Sequence, residues 1–204
     1  MKTTIKTVVS TALVAVVLSA SAFTTVAAEK VKVMEMASIN PAIKKIVIKG
    51  NVKVTLVQSY NEQVAMDEEN FDKVSIKQIG YTLNISSESK TPVKVTVYVY
   101  DPYRIDASEN ACVTTVGRFN VKHLQVMVRD NAVASIKAKT ESLYTVVNGN
   151  ANLELRGSTA NHIIKTDGLA ILNTEGLAAL KTDRVTSDTE VAMNKKPAST
   201  PSKL

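Results

Sequence analysis

Hydrophobic and polar residues alternate along most of the chain from Ile46 onward. The clearest run is VKVTVYV at 93–99, where valine takes every second position. Successive side chains of a β-strand point to opposite faces, so this period predicts strands with one buried face. Short polar or Gly- and Pro-containing segments, such as 49–51 and 91–92, separate the runs. No convincing amphipathic helix follows the N-terminal region, and the pattern therefore predicts an all-β chain.

The second half of the chain contains a repeat anchored on a small residue. The anchors are Ala111, Ala132, Ala151, Ala170 and a degenerate fifth at Thr189, and their spacing is nearly constant. The positions two residues after the anchors are apolar: Val113, Ala134, Leu153, Leu172 and Val191. The positions six residues before them are Ile105, Val126, Thr145, Ile164 and Asp183. A fixed period of about 20 residues is typical of stacked-coil proteins.

The repeat predicts a single-stranded parallel β-helix, a solenoid with coils of about 19 residues. Equivalent residues of successive coils would then lie about 4.8 Å apart and stack like on like. Asn110, Asn131 and Asn150 precede the anchors, which predicts left-handed turns and stacked amides at the corners. The structural alternative is an antiparallel β-sandwich, which also alternates but has no reason to hold the constant register of the repeat.

The N-terminal segment 1–28 is typical of a secretory signal. Lys2 and Lys6 precede an apolar run at 8–18 that ends in small residues, and cleavage after Ala28 is favoured over cleavage after Ala22. The leader predicts an exported protein. No later segment has the roughly 20 apolar residues of a spanning helix, so we expect the mature protein in the periplasm, at the outer cell surface or in the medium. The predicted organisation is a signal peptide at 1–28, a linker at 29–42, a β domain at 43–194 and a disordered tail at 195–204.

Composition excludes several kinds of chemistry. The 204 residues include one cysteine and two histidines, too few for a disulfide framework, a thiolate zinc site or a three-histidine metal site. The formal charge of +6 falls to +4 when Lys2 and Lys6 leave with the leader. Basic residues are scattered and aromatic residues make up only 4% of the chain, so we expect no nucleic-acid partner. We also expect no cofactor.

Two segments and the coils that follow them are similar to a known bacterial family. The segment IVIKGNVKVTL at 46–56 forms strand, glycine and strand, and VTVYVYDP at 95–102 is a valine-rich strand that enters a proline turn. Over residues 43–193 the chain resembles the family described as the "putative auto-transporter adhesin, head GIN domain". The resemblance implies a right-handed β-helix and an adhesin-like role, and it implies no catalytic or binding residues. The family often has Ser-Gly-Ser-Gly at its turns, whereas this chain has NGN at 148–150.

Three tyrosines are the candidate surface contacts. Tyr98, Tyr100 and Tyr144 alternate with the apolar positions and should point outward. Exposed tyrosines on a rigid β wall suit contact with carbohydrate or protein. Ordinary surface tyrosines with no binding role are the alternative.

We assign no catalytic or metal-ligating residue from the sequence. The strongest enzymatic candidate is the charged group Lys165, Asp167, Lys181, Asp183 and Arg184, because β-helix polysaccharide lyases and hydrolases use such side chains on one outer face. In the repeat alignment Asp167 and Asp183 do not stack, and a catalytic carboxylate pair needs a defined separation. By the alternation, Cys112 should point outward, and no histidine occupies the equivalent position of another repeat. His162 is expected to be a hydrogen-bonded residue of the β-helix wall.

These observations predict an exported, non-enzymatic β-helix protein of the cell envelope or surface with adhesin-like binding. The alternatives are a carbohydrate-active β-helix enzyme and a structural envelope component. The partner is unknown, with a surface glycan or a protein as candidates. Self-association is a further expectation, because the end coils of a β-helix expose strand edges.

Overall fold

A computed structural model describes residues 31–34, 42–117 and 119–185 of the chain. The strands are β1 (Val31–Met34), β2 (Lys45–Gly50), β3 (Val52–Gln58), β4 (Gln63–Asp67), β5 (Ser75–Ile79), β6 (Thr82–Ser87), β7 (Val93–Val99), β8 (Arg104–Ser108), β9 (Cys112–Val116), β10 (His123–Val128), β11 (Val133–Val147), β12 (Asn152–Thr166) and β13 (Ile171–Val185). A 3₁₀ helix spans Glu68–Lys73. The prediction of an all-β chain is confirmed. The signal segment 1–28, the fifth repeat around Thr189 and the tail 195–204 lie outside the described residues.

The strands form one open, curled sheet with two limbs. Limb A runs from β1 through β4, β7, β3 and β9 to the first halves of β11, β12 and β13. Limb B runs from β5 through β6, β2, β8 and β10 to the second halves of the same three strands. Each of those three strands has 15 residues and passes from limb A to limb B. The two limbs are therefore joined along β11, β12 and β13.

The apolar faces of both limbs meet in one core. Its members alternate along the strands, as the period of two predicts, and Val97 from limb A and Ile46 from limb B are both fully buried. Most of them are valine, isoleucine, leucine or alanine, which fit the narrow space between two sheet faces. Two buried polar pairs lie among them, Thr140 with Thr159 and Thr145 with His162.

Equivalent positions of successive repeats occupy neighbouring parallel strands. Thr145 on β11 pairs with Ile164 on β12, and Val126 on β10 pairs with Thr145. The first interval of the repeat is slightly longer, and there Ile105 still pairs with Val126. The amides after the anchors bond the alanine carbonyl one strand back, from Asn152 to Ala132 and from Ile171 to Ala151. The anchor alanines are thus stacked, while the right-handed parallel β-helix stays a prediction.

The order of the strands differs from a simple solenoid. The pair β2 and β3 lies between β6–β7 on one side and β8–β9 on the other, so the segment at 45–58 is inserted between two later segments. In addition, β1, β4 and β5 join the limbs by antiparallel pairing. Alternating apolar residues are much the same in all these strands, and such a pattern does not specify which strand lies beside which.

Two details of the repeat alignment are corrected by the structure. The alignment puts Asp183 with Ile164 in the apolar column, but a register shift between Glu154 and Arg156 places Arg184 beside Ile164 and Asp183 beside Ile163. The extra residue of this bulge moves the carboxylate out of the inner column. The left-handed corner residue is also one position earlier than the asparagines, at Glu109, Asp130, Gly149 and Gly168. One amide rung is present, from Asn150 to Asn131 at 3.3 Å.

Candidate functional site: the tyrosine platform

The structure brings two of the three candidate tyrosines together. Tyr98 lies on the outer face of β7 in limb A, and Tyr100 follows the end of the same strand. Tyr144 lies on the second half of β11, on the outer face of limb B. Tyr98 and Tyr144 are half-buried, and Tyr100 is 45% exposed. A single site cannot include all three, because the two limbs have separate outer faces.

A fourth tyrosine, absent from the sequence prediction, completes the group on limb A. The ring of Tyr60 stacks on the ring of Tyr100 with centroids 4.7 Å apart and planes inclined by 30°. Tyr60 is 85% exposed. We call Tyr60, Tyr98 and Tyr100 the tyrosine platform. Tyr60 and Tyr100 are far apart in sequence, and only the pairing of β3 with β7 brings them together.

Side chains from the end of β3 and from the loop that follows it fix the backbone of Tyr100. One carboxylate oxygen of Glu62 accepts a hydrogen bond from the Tyr100 amide at 3.2 Å, and the other accepts one from the Ile43 amide at 2.9 Å. The amide group of Gln58 donates to the Tyr100 carbonyl at 3.0 Å and to the Asn120 carbonyl at 2.7 Å. The backbone of Tyr100 is therefore held by Glu62 and Gln58, which are themselves tied to Ile43 and Asn120, and this lowers the entropy cost of binding.

A row of hydroxyl groups crosses limb A beside the platform. Its members occupy equivalent positions on four neighbouring strands and are Thr96, Thr55, Thr114 and Ser135. We call them the hydroxyl row, and strands in a sheet set their spacing at about 4.8 Å. The next row along the strands holds Tyr98, Val57 and Val116, and Val116 is 50% exposed. Aromatic rings beside regularly spaced hydroxyls offer stacking and hydrogen bonding to a sugar chain.

The hydroxyl row ends at an ordered ion pair. The Ser135 hydroxyl donates to Glu154 at 3.0 Å, and the Arg156 guanidinium contacts the other carboxylate oxygen at 2.6 Å. The hydrogen bond from Arg156 has the larger effect and the one from Ser135 the smaller, and together they hold the pKa of Glu154 below its ordinary value. Glu154 therefore stays ionised and anchors this end of the row.

The charged residues of the enzymatic alternative do not form a carboxylate pair. Lys181 forms an ion pair with Asp183 at 2.9 Å, and Asp183 lies beside Ile163 on the outer face of limb B. Asp167 follows the end of β12, in an exposed turn, and Arg184 lies beside Ile164. Lys165 is half-buried on β12. The group is spread along two strands and a turn.

The two residues weighed for reactivity have ordinary structural surroundings. Cys112 is half-buried on the outer face of limb A between Lys53 and Val133. His162 is buried and hydrogen-bonded to the Thr145 hydroxyl at 2.9 Å, as expected for a wall residue. Desolvation and then the charge of Arg184 lower the pKa of His162 to about 4.

Metal-ligating clusters and membrane-crossing helices are both missing from the described part of the chain. No three His, Cys, Asp or Glu side chains there converge in a way that would hold a metal ion. No helix among the same residues has the length and apolar character needed to cross a membrane.

Solved structures share this fold. A crystal structure named a putative adhesin, from Bacteroides fragilis NCTC 9343, aligns with a TM-score of 0.63 at 14% identity over 76% of this chain and 74% of its own. A second one named a putative adhesin, from Parabacteroides merdae ATCC 43184, aligns with a TM-score of 0.60 at 14% identity over 76% and 75%. A third, from Parabacteroides distasonis ATCC 8503, is named a putative lipid binding protein and aligns at 0.51 and 12% identity over 76% and 77%.

The family comparison covers most of the chain. No curated protein matches it. The model of one family matches residues 42–194, close to the 43–194 predicted for the β domain. The resemblance inferred from the strand–glycine–strand segment and the valine-rich strand is thereby confirmed. The chain belongs to the family described as "Putative auto-transporter adhesin, head GIN domain".

Proposed function

We propose that this protein is an exported, non-enzymatic binding module that contacts a surface glycan through the tyrosine platform and the hydroxyl row. The observation that carries the proposal is the exposed Tyr60–Tyr100 stack, in which Glu62 and Gln58 hold the backbone of Tyr100. The outer face of the exposed Tyr60 ring is apolar, and the apolar face of a sugar ring is its natural complement. The hydroxyl row beside the platform supplies hydrogen-bonding groups at regular intervals.

Family membership and the leader support the wider context. The family and two structural neighbours are described as putative adhesins. The signal-like segment at 1–28 supports export to the periplasm, the outer surface or the medium. An adhesin needs a rigid exposed face, and limb A provides one.

We also propose that the parallel coils wind as a right-handed β-helix. The constant register between β11 and β12 supports this, because each 15-residue strand crosses from one limb to the other before the next begins. Parallel strands joined by crossover connections are almost always right-handed.

The binding proposal is tested with immobilised neutral oligosaccharides, such as β-glucan and mannan fragments, and the purified protein. Replacing Tyr60 and Tyr100 together by alanine should weaken binding about tenfold, because two stacking contacts of roughly 0.5–1.5 kcal/mol are lost. The matched control is Tyr81→Ala, an exposed tyrosine at the turn between β5 and β6 of limb B. Equal losses in both variants, or no binding by the unmodified protein, would refute the proposal.

The same oligosaccharides test the enzymatic alternative. A carbohydrate-active enzyme would release new reducing ends, and the Asp167→Asn and Asp183→Asn variants would lose that activity. A binding module should leave the oligosaccharides intact over a long incubation. Turnover that depends on either aspartate would replace the proposed function with the enzymatic one.

A further inference from the structure

A buried carboxylate lies between two arginines on the outer face of limb B. Asp106 on β8 has only 5% of its surface exposed, although its parity directs it outward. Its two oxygens contact Arg129 at 2.6 Å and Arg104 at 3.4 Å. The carboxylate thus orients both guanidinium groups, and the Nε atom of Arg104 is buried without a hydrogen-bond partner. A guanidinium has five N–H donors. Arg104 uses its Nη2 group on Asp106 and on the Met127 sulfur, and Arg129 contacts Asp106 through Nη2, so the Nη1 groups of both arginines are left for a ligand.

Two lysines enlarge this cationic cluster. Lys45 on β2 is the register partner of Arg104, and Lys49 is the partner of Ser108 further along the same strands. Neither lysine forms an ion pair with any residue that the structure describes, whereas four cations here face one anion, Asp106. At the outward positions of β6, β2, β8 and β10 and along residues 142–147 of β11, Asp106 is the only acidic residue, while the exposed Glu141 before them is paired with Lys122. This face is therefore strongly positive.

An aromatic ring continues the row that contains Arg104. The register partners across the next three strands are Gln125, Tyr144 and Ile163. Tyr144, the tyrosine left outside the platform, is half-buried and faces outward in this row. Charge, an amide and an aromatic ring therefore follow one another across neighbouring strands at a spacing of about 4.8 Å.

We propose that the outer face of limb B binds an acidic polysaccharide, with the sugar carboxylates on the cationic cluster and a sugar ring on Tyr144. The cluster already binds one carboxylate within the protein, that of Asp106, which shows the geometry it accepts. The sheet fixes the spacing of these positive charges. A linear polysaccharide with repeated carboxylates presents negative charges at comparable intervals. This site lies on the limb opposite the tyrosine platform and differs from it in chemistry.

The test measures binding of the purified protein to polygalacturonic acid by biolayer interferometry at low and at physiological ionic strength. Its methyl ester is the matched neutral polymer. The acid should bind, the ester should bind at least tenfold more weakly, and affinity should fall as salt screens the charges. Replacing Lys45 and Lys49 together by glutamine should weaken binding about five- to tenfold. Tyr144→Ala should weaken it about threefold.

A matched double variant separates this face from the net charge of the protein. Lys53 and Lys94 are exposed register partners on the outer face of limb A, so Lys53→Gln with Lys94→Gln removes the same charge from the opposite limb. That variant should lose less than twofold, and Lys45→Arg with Lys49→Arg should keep full binding. Equal losses in the two glutamine doubles would overturn the proposal, as would binding to phosphatidylglycerol vesicles without binding to the polymer. The Tyr60→Ala, Tyr100→Ala variant should leave this binding unchanged, which keeps the two proposals separate.

Discussion

Strands β12 and β13 carry the same repeat and differ in burial. Leu153 on β12 is fully buried, whereas its register partner Leu172 on β13 is half-buried, and Leu180 on β13 is 89% exposed. The difference follows from their neighbours, because β12 lies between β11 and β13 while β13 has a partner only on one side within the described residues. An apolar side chain in this fold therefore contributes more to the stability when its strand has neighbours on both sides than when it has a neighbour on one side. Four sets of substitutions test this comparison.

The largest effect is expected at the anchor alanines. Ala151→Arg places an unpaired guanidinium at a fully buried position between two strands, which should cost more than about 4 kcal/mol and unfold the protein. Ala170→Arg, one strand further, should cost about 1–2 kcal/mol, because Ala170 is only half-buried. Asn152→Arg, exposed and adjacent, should change stability by less than about 0.5 kcal/mol. Urea unfolding followed by circular dichroism measures all three, and equal midpoints would contradict the assigned positions.

Glycine substitutions should give the next largest difference between β12 and β13. Gly157 on β12 has φ +110°, and a methyl group there would collide with the carbonyl oxygen of Ala138. Gly157→Ala should therefore cost about 3–4 kcal/mol through strain and displaced backbone.

On β13, a methyl at Gly176 would approach the Arg156 side chain, 2.8 Å from its Cγ atom, while the nearest backbone atom would be at an ordinary contact distance of 3.6 Å. That side chain can rotate away, so Gly176→Ala should cost less than about 1 kcal/mol. Thermal melts of the two variants provide the comparison. A Gly157→Ala protein as stable as the Gly176→Ala protein would argue against the close approach of β11 and β12 at this bend.

Truncation of the paired leucines should give a smaller difference. Leu153→Ala opens a cavity in a fully packed position and should cost about 3 kcal/mol. Leu172→Ala should cost about 1 kcal/mol, because part of that side chain is already in water. Chemical denaturation measures both costs. Should the two variants lose the same stability, both strands would have to be covered equally in solution.

The last comparison is a pH dependence specific to β12. His162 has a pKa of about 4 in the folded protein, below its ordinary value of 6.5, because burial disfavours the charged ring. The unfolded chain therefore binds the proton more readily. This contribution is fully present above about pH 6.5 and is lost as the pH falls towards 4, by at most about 2–3 kcal/mol. The partner position on β13 is Thr182, which does not titrate.

The histidine contribution is measured from unfolding free energies between pH 7.5 and 4.5. His162→Leu, which reproduces the residue type of Leu143 one strand back, should flatten the profile over that range. His123→Leu is the control, since His123 is exposed. If the profile flattened only in the His123→Leu variant, the pH dependence would come from His123, and its assignment to His162 would be wrong.

Much of the fold is predictable from local pattern, and the candidate site is less so. The alternation along 93–99 predicts β7, and the regular spacing of the anchors predicts the pairing of Ile105, Val126 and Thr145. The tyrosine platform is only half predictable, since the alternation singles out Tyr98 and Tyr100 but not Tyr60. Tyr60 meets Tyr100 only because β3 and β7 are neighbours, and a contact between segments so distant in sequence leaves no mark in either of them.

By itself, the sequence determined most of the strands from Ile46 onward, their inward faces and the register of the repeats up to β12, because each apolar residue needs burial and each coil repeats the same requirement. Tertiary structure alone decided the order of the early strands, the bulge that moves Asp183 outward, and the groups formed by Tyr60 with Tyr100 and by Arg104 with Arg129. Many of these strands present nearly the same apolar pattern to a neighbour. Local sequence therefore does not choose among those neighbours, and the choice depends on contacts that exist only when the whole core is packed.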